Sequence, residues 1–258
     1  MTMRACYKLA GLTVAVSTRY PETHRLWAAY RTDEEPSVFS VETGPSDLER
    51  EEALVLREAA RDGSAAPRYS PGTLEQTAVY RKLAEGMPAY DRLVFHGSCV
   101  AVDGRGYLFA APSGTGKSTH VALWGELLGA RAVTVNDDKP MLHIRADGVT
   151  AYGTPYTGKH RRGRNMAVPL RAVCLLERAA ENRIASIRPE SAYPLLLQQA
   201  YRPRDAKALE QTLRLLDRLA RGVRLYRLGC TPELSAAEVA WNAMGGEEDE
   251  TEQRLSGP

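Results

Sequence analysis

The residues best placed to do chemistry lie in Y-L-F-A-A-P-S-G-T-G-K-S-T, residues 107–119. An apolar run of five residues reads as a buried strand, and Pro112 and Ser113 end it. Gly114-Thr115-Gly116 follow as a glycine-punctuated turn, and Lys117-Ser118-Thr119 open an amphipathic segment that reads as a helix. Strand, glycine loop and helix carrying Gly-Lys-Ser is the context of a phosphate-binding P-loop. Glycines let consecutive backbone N–H groups turn inward as an anion nest, and the helix adds the positive end of its dipole. The expected nucleotide contacts are Ser113, Gly114, Thr115, Gly116, Lys117, Ser118 and Thr119. Lys117 would reach the terminal phosphates and the Ser118 hydroxyl would sit on Mg²⁺. The motif's first position holds Ala111 where glycine is usual.

Three further groups could serve a bound nucleotide. Asp137-Asp138 follow an apolar strand, where a P-loop enzyme needs a carboxylate for Mg²⁺ and a kinase needs a base for an attacking hydroxyl. Two adjacent carboxylates can divide those tasks. His96 ends an earlier strand, and its imidazole could hydrogen-bond an aspartate or a phosphate. The stretch Tyr156-Thr157-Gly158-Lys159-His160-Arg161-Arg162-Gly163-Arg164 is a basic, glycine-containing loop. Lys159, Arg161 and Arg162 are its candidates for stabilising a transferred phosphoryl group. Arg202-Pro203-Arg204 reads as an ordinary helix junction.

These groups need a scaffold, and the apolar pattern supplies one. Residues 6–11 and 12–17 read as two strands turning at Gly11, with a further strand over 38–41. A helix is expected over 48–61, capped by Ser46 or Asp47, then a loop over 62–72 and a helix from Thr73 to about 86. Beyond Asp91 the strands come closely spaced: 93–95, 99–102, 107–111 and 132–135. The turn at 103–106 makes a hairpin, and 141–145 with 149–153 make another. A long loop over 154–169 leads to a central strand at 170–177 and a further one at 182–188. Helices over 189–200 and 204–221, a strand over 223–228 and a helix over 232–244 complete the pattern. The expected architecture is α/β, a mixed β-sheet core with flanking helices. Residues 1–90 form an N-terminal α+β supporting lobe, 91–244 the catalytic domain and 245–258 a disordered acidic tail.

The bulk properties narrow the function. A chain of 258 residues with 43% hydrophobic and 26% charged content is an ordinary globular composition. A net charge of +2 gives no global field for nucleic acid or membrane. No stretch approaches a membrane span and no export signal opens the chain, so the cytoplasm is expected. Cys6, Cys99, Cys174 and Cys230 are widely separated and read as buried thiols.

The series F-H-G-S-C-V-A-V (95–102), A-P-S-G-T-G-K-S-T (111–119) and V-N-D-D (135–138) resembles the catalytic domain of HPr kinase/phosphorylase, a family related to the phosphoenolpyruvate carboxykinases. The resemblance covers roughly 91–150 well. With G-T-P-Y-T-G-K-H (153–160) and V-P-L-R-A-V-C-L-L-E (168–177), it extends to free-standing members that phosphorylate hydroxyls, including serine kinases and precursor-peptide kinases. It implies an HPr kinase-like P-loop fold using ATP and Mg²⁺. It makes Asp137 the base, Asp138 a base or metal partner beside Ser118, and His96 the group that orients the pair. The Glu-Val-Arg-Gly signature of the bifunctional enzymes is absent, and Arg161-Arg162-Gly163 lies near its place without the glutamate. That departure removes the grounds for expecting the phosphorylase reaction or HPr as substrate.

The expected function is therefore an ATP-dependent kinase moving the γ-phosphoryl group to a hydroxyl of a peptide, protein or small molecule. A non-catalytic nucleotide-sensing module and a carboxykinase-type enzyme are the alternatives. Whether the chain forms a homo-oligomer is left open by the sequence.

Overall fold

Two sheets divide the work of the fold in the computed structural model, which describes residues 2–245. The first is four-stranded, in the order β3-β1-β2-β4, built from β1 (Met3–Leu9), β2 (Leu12–Thr18), β3 (Arg31–Thr32) and β4 (Phe39–Glu42). β1 and β2 are antiparallel, and the two residues between them, Ala10 and Gly11, both have positive φ (47° and 79°). That is the two-residue turn whose twist matches a hairpin. Helix α1 (Glu22–Leu26), α2 (Pro45–Asp62) and α3 (Pro71–Gly86) accompany this sheet. α2 starts earlier than its sequence suggested: Pro45 takes the first turn, Gly44 is the cap, and the Asp47 carboxylate accepts the Gly44 N–H at 2.9 Å. Likewise α3 begins at Pro71, with the Ser70 hydroxyl accepting from the Thr73 amide, so Thr73 lies inside the first turn.

The second sheet is mixed. Its main path runs β5 (Arg92–Val94), β9 (Met141–Arg145), β10 (Gly148–Tyr152), β11 (Ala167–Arg178), β7 (Arg105–Ala110), β6 (Ser98–Val102) and β8 (Ala132–Asn136). β13 (Arg224–Cys230) pairs parallel to β11 and carries β12 (Arg183–Ser186) antiparallel on its other side. β11 is the spine. Its first residues pair with β10, and beyond Leu170 it lies between β7 and β13, parallel to both. A strand flanked on both sides should be apolar throughout, and residues 172–176 are all buried.

Helix α4 (Lys117–Leu128) covers one face of this sheet with α7 (Leu234–Met244), burying Trp124 against Tyr107 and Phe109. On the other face α5 (Pro189–Gln199) and α6 (Ala206–Gly222) bury Leu196, Leu215, Leu216 and Leu219. The result is a mixed α/β fold with seven helices among the described residues. None of those helices is long and apolar enough to cross a membrane. The acidic tail expected from 245 falls, apart from Gly245, outside the described residues. Of the four free thiols, Cys99 and Cys174 are buried as expected. Cys6 and Cys230 are half-exposed, which corrects that reading.

Residues of the first ninety share a core with the rest of the chain. Val94 and Met141 pack into the same apolar cluster as Tyr7, Val16, Trp27 and Leu83. Trp27 is fully buried, edge-on to Tyr7 at 5.2 Å and to Tyr156 at 5.9 Å. Trp27→Ala should therefore cost about 3–5 kcal/mol in a urea titration, the usual loss for a large aromatic in a closed core. A loss under ~1 kcal/mol would mean Trp27 is not packed in this way.

Candidate active site

The strand–loop–helix runs from β7 through 111–116 into α4. Gly114 and Gly116 have φ of 78° and 112°, a region in which a side chain is strained, so both positions require glycine. Gly116 is the residue preceding the helix, and its carbonyl accepts the His120 amide at 2.9 Å. Lys117 bends back across the loop, and its Nζ donates to the Ala111 carbonyl at 2.7 Å. Its side chain is largely buried, and burial lowers its pKa, with Asp138 acting in the opposite sense. Ser113, Ser118 and Thr119 are exposed, while Thr115 and Gly116 are half-buried. Arg178, at the end of β11, donates from Nη2 to the Gly114 carbonyl at 2.6 Å.

Across from the loop, β8 ends at Asn136, and the two aspartates take different surroundings. Asp137 is buried, and each of its carboxylate oxygens accepts a backbone N–H of the basic loop: Gly158 at 2.7 Å and Arg162 at 3.2 Å. Its own carbonyl accepts from the Ser98 hydroxyl at 2.8 Å. Asp138 is more open. One of its oxygens lies 3.5 Å from His96 Nε2, the other 2.5 Å from Lys139 Nζ, and its charge reaches Lys117. His96 thus faces Asp138, while Asp137 fastens the loop.

The His96 ring is fixed from behind. Its Nδ1 lies 2.9 Å from Gln199 Oε1, and its backbone amide donates to the Gln199 carbonyl at 2.7 Å. An amide oxygen can only accept, so the imidazole proton sits on Nδ1 and Nε2 presents a lone pair to Asp138. The 3.5 Å separation is too long for a hydrogen bond and suits two acceptors with no proton between them. Burial lowers the His96 pKa, and the charge of Lys117 lowers it further, so the ring is neutral at pH 7.

Asn136 organises the junction. Its Nδ2 donates to the Thr154 and Tyr156 carbonyls, while its Oδ1 accepts the amides of Asp138 and Lys139. The loop over 153–166 is drawn against β8 by these bonds and by the Arg164 amide, which donates to the Val135 carbonyl. The loop backbone therefore meets the aspartates. The side chains of Lys159, Arg161 and Arg162 are exposed and have no carboxylate partner among the described residues. Tyr80 of α3 contacts Tyr156 at 4.7 Å, and the Lys139 ammonium lies 5.7 Å from its ring centre.

Asn136, Gln199, Ser98, Tyr80, Lys139 and Arg178 carry this arrangement, and none of them was assigned a role from sequence. Asn136 alone had a visible signal, as the residue between an apolar strand and two acids. Among the described residues no group of three His, Cys, Asp or Glu side chains could hold a metal ion. Mg²⁺ does not need such a cage, because it commonly takes one or two protein oxygens and completes its shell with phosphate and water. Ser118 and Asp138 supply donors of that kind. A surface groove of about 890 Å³ lies between the β9–β10 turn and α6, lined by arginines already paired with acids.

No family model matches the chain, and no curated protein matches it. Among solved structures it is similar to the HPr(Ser) kinase/phosphatase from Coxiella burnetii. That likeness has a TM-score of 0.32 and 12% identity, covering 64% of this chain and 99% of the other.

Proposed function

We propose that this chain is an ATP-dependent kinase of HPr kinase-like fold, transferring the γ-phosphoryl group to a hydroxyl acceptor. The observation that carries the reading is a glycine loop opening onto a helix, with Lys117 folded over it and Asp138 within its electrostatic reach. Backbone amides of 114–118 would hold the phosphates, and Lys117 would neutralise charge developing on the transferred group. Ser118 and Asp138 would hold Mg²⁺, which would supply charge neutralisation on the phosphates when bound.

The acceptor's proton needs a destination, and the Asp138–His96 pair offers one. Two facing lone pairs with no proton between them are a site for exactly one. In this reading Asp138 takes the proton and His96 Nε2 shares it, which moves the base from Asp137 to its neighbour. Asp137 holds the basic loop so that Lys159, Arg161 and Arg162 can reach the phosphoryl group.

A pH profile follows. His96 must be neutral to share the proton, and its pKa lies below the ordinary 6.5. kcat/KM should thus stay level at neutral pH and fall only as pH drops through that depressed value. His96→Gln should lose the acidic limb assigned to the imidazole. A wild-type limb centred above pH 7 would contradict the assignment. The function itself is tested by incubating the protein with γ-³²P-ATP, Mg²⁺ and a panel of seryl and threonyl peptides and small alcohols. Label should appear on a hydroxyl of at least one of them, and label on none would count against the kinase.

A further inference from the structure

Residues 158–164 fold back along the end of β8. Asp137 accepts the Gly158 and Arg162 amides, Asn136 bridges to Gly163, and the Arg164 amide donates to the Val135 carbonyl. A Cβ at Gly158 would stand 3.5 Å from the Asp138 Cβ, so the loop borders the proposed base. Lys159, Arg161, Arg162 and Arg164 ride on this stretch, all exposed and without a carboxylate partner among the described residues. Elsewhere on the surface Arg145, Arg214 and Arg221 each meet an acid.

Arg161 is held under backbone strain. Its φ is 49°, in the left-handed region, where its amide closes a turn onto the Gly158 carbonyl at 3.0 Å. Glycine meets that conformation freely and stands at 158 and 163 of the same loop, yet position 161 carries a guanidinium. Nor do the charges balance around a nucleotide alone. Six cations, Lys117, Lys139, Lys159, Arg161, Arg162 and Arg164, lie on the segments surrounding two carboxylates, Asp137 and Asp138. A triphosphate with bound Mg²⁺ brings about two negative charges, which leaves about two positive charges over.

We propose that the acceptor is an acidic peptide, its carboxylates beside the reacting serine or threonine met by the loop cations that the triphosphate leaves unneutralised. The proposal rests on the kinase reading and names the substrate class of that site. The acceptor hydroxyl forms its bond to the γ-phosphorus as the bond to the β–γ bridging oxygen breaks. Its proton passes to Asp138, and ADP leaves. Cations spaced along a loop suit carboxylates spaced along a chain, whereas a small dianion would meet one or two of them. The chain's own residues 247–252, E-E-D-E-T-E, set a threonine among acids and supply a probe sequence.

The full chain with γ-³²P-ATP and Mg²⁺ is given the peptide E-E-D-E-T-E, the neutral Q-Q-N-Q-T-Q, or glycerol, and label is read on each acceptor. kcat/KM for the acidic peptide should exceed that for the neutral one by about tenfold or more, chiefly through KM. Raising NaCl from ~50 to ~300 mM should shrink that ratio severalfold, because exposed charges are screened. Arg161→Gly removes the guanidinium and relieves the backbone, so it should cut the ratio at least about threefold, and Arg161→Lys should keep it. Arg164→Gln should cut it as well, without disturbing the loop, since the bond to Val135 comes from its backbone amide. Equal kcat/KM for the two peptides would overturn the acidic acceptor while leaving the kinase standing. So would label on glycerol alone, or a ratio unmoved by salt and by both charge-removing variants. Label on no acceptor would remove the kinase reading, and this one with it.

Discussion

Lys117→Met should abolish phosphoryl transfer, lowering kcat with γ-³²P-ATP by on the order of a thousandfold or more, while the protein stays folded. The size follows from what the ammonium would do. It lies over the glycine loop, tied to the Ala111 carbonyl, in a largely buried position where a fixed charge acts strongly. The retained fold follows from two opposing terms. Losing the bond to Ala111 costs about 1 kcal/mol, and removing a buried cation whose pKa burial has already lowered gives some of that back. Melting by circular dichroism should accordingly shift by only a few degrees. A variant that keeps more than a tenth of the wild-type kcat would remove Lys117 from the chemistry.

The two aspartates should separate under the same substitution. Asp138→Asn is expected to lower kcat by about 10²–10⁴, because it removes both the proton acceptor and one of the two oxygens that would hold Mg²⁺. Asp137→Asn should act through the loop. One oxygen becomes an NH₂ facing a backbone N–H that previously donated to it, either Gly158 or Arg162. A donor opposed to a donor releases that segment. Trypsin should then cut faster after Lys159, Arg161 or Arg162, all exposed, in Asp137→Asn but not in Asp138→Asn. If both variants showed wild-type proteolysis and equal loss of turnover, the division of roles would be wrong.

The glycine turn between β7 and α4 was legible because that signal is local. Gly114, Gly116 and Lys117 lie within four residues, and the apolar strand and the helix adjoin them. The hairpins at 103–104 and 146–147 were legible for the same reason, since turn residues sit between matched apolar runs. The difference between Asp137 and Asp138 was not local. It is set by a loop more than twenty residues later that folds back to donate its amides to one of them. Gln199 orients His96 from 103 residues away, at the end of a helix, P-E-S-A-Y-P-L-L-L-Q-Q, in which nothing local marks that glutamine out. Nor could composition show that α3 would bring Tyr80 against Tyr156 of the loop. The α2 boundary moved because Pro45 suits the first helical turn, and Asp47 caps from three residues inside it.

The most direct test is a crystal structure of the full chain with a non-hydrolysable ATP analogue and Mg²⁺. The account predicts β- and γ-phosphates against the backbone amides of 114–118, with the γ-phosphorus between Lys117 and Asp138. Phosphates bound at any other surface, leaving Lys117 on the Ala111 carbonyl and no ligand over the glycine loop, would contradict it.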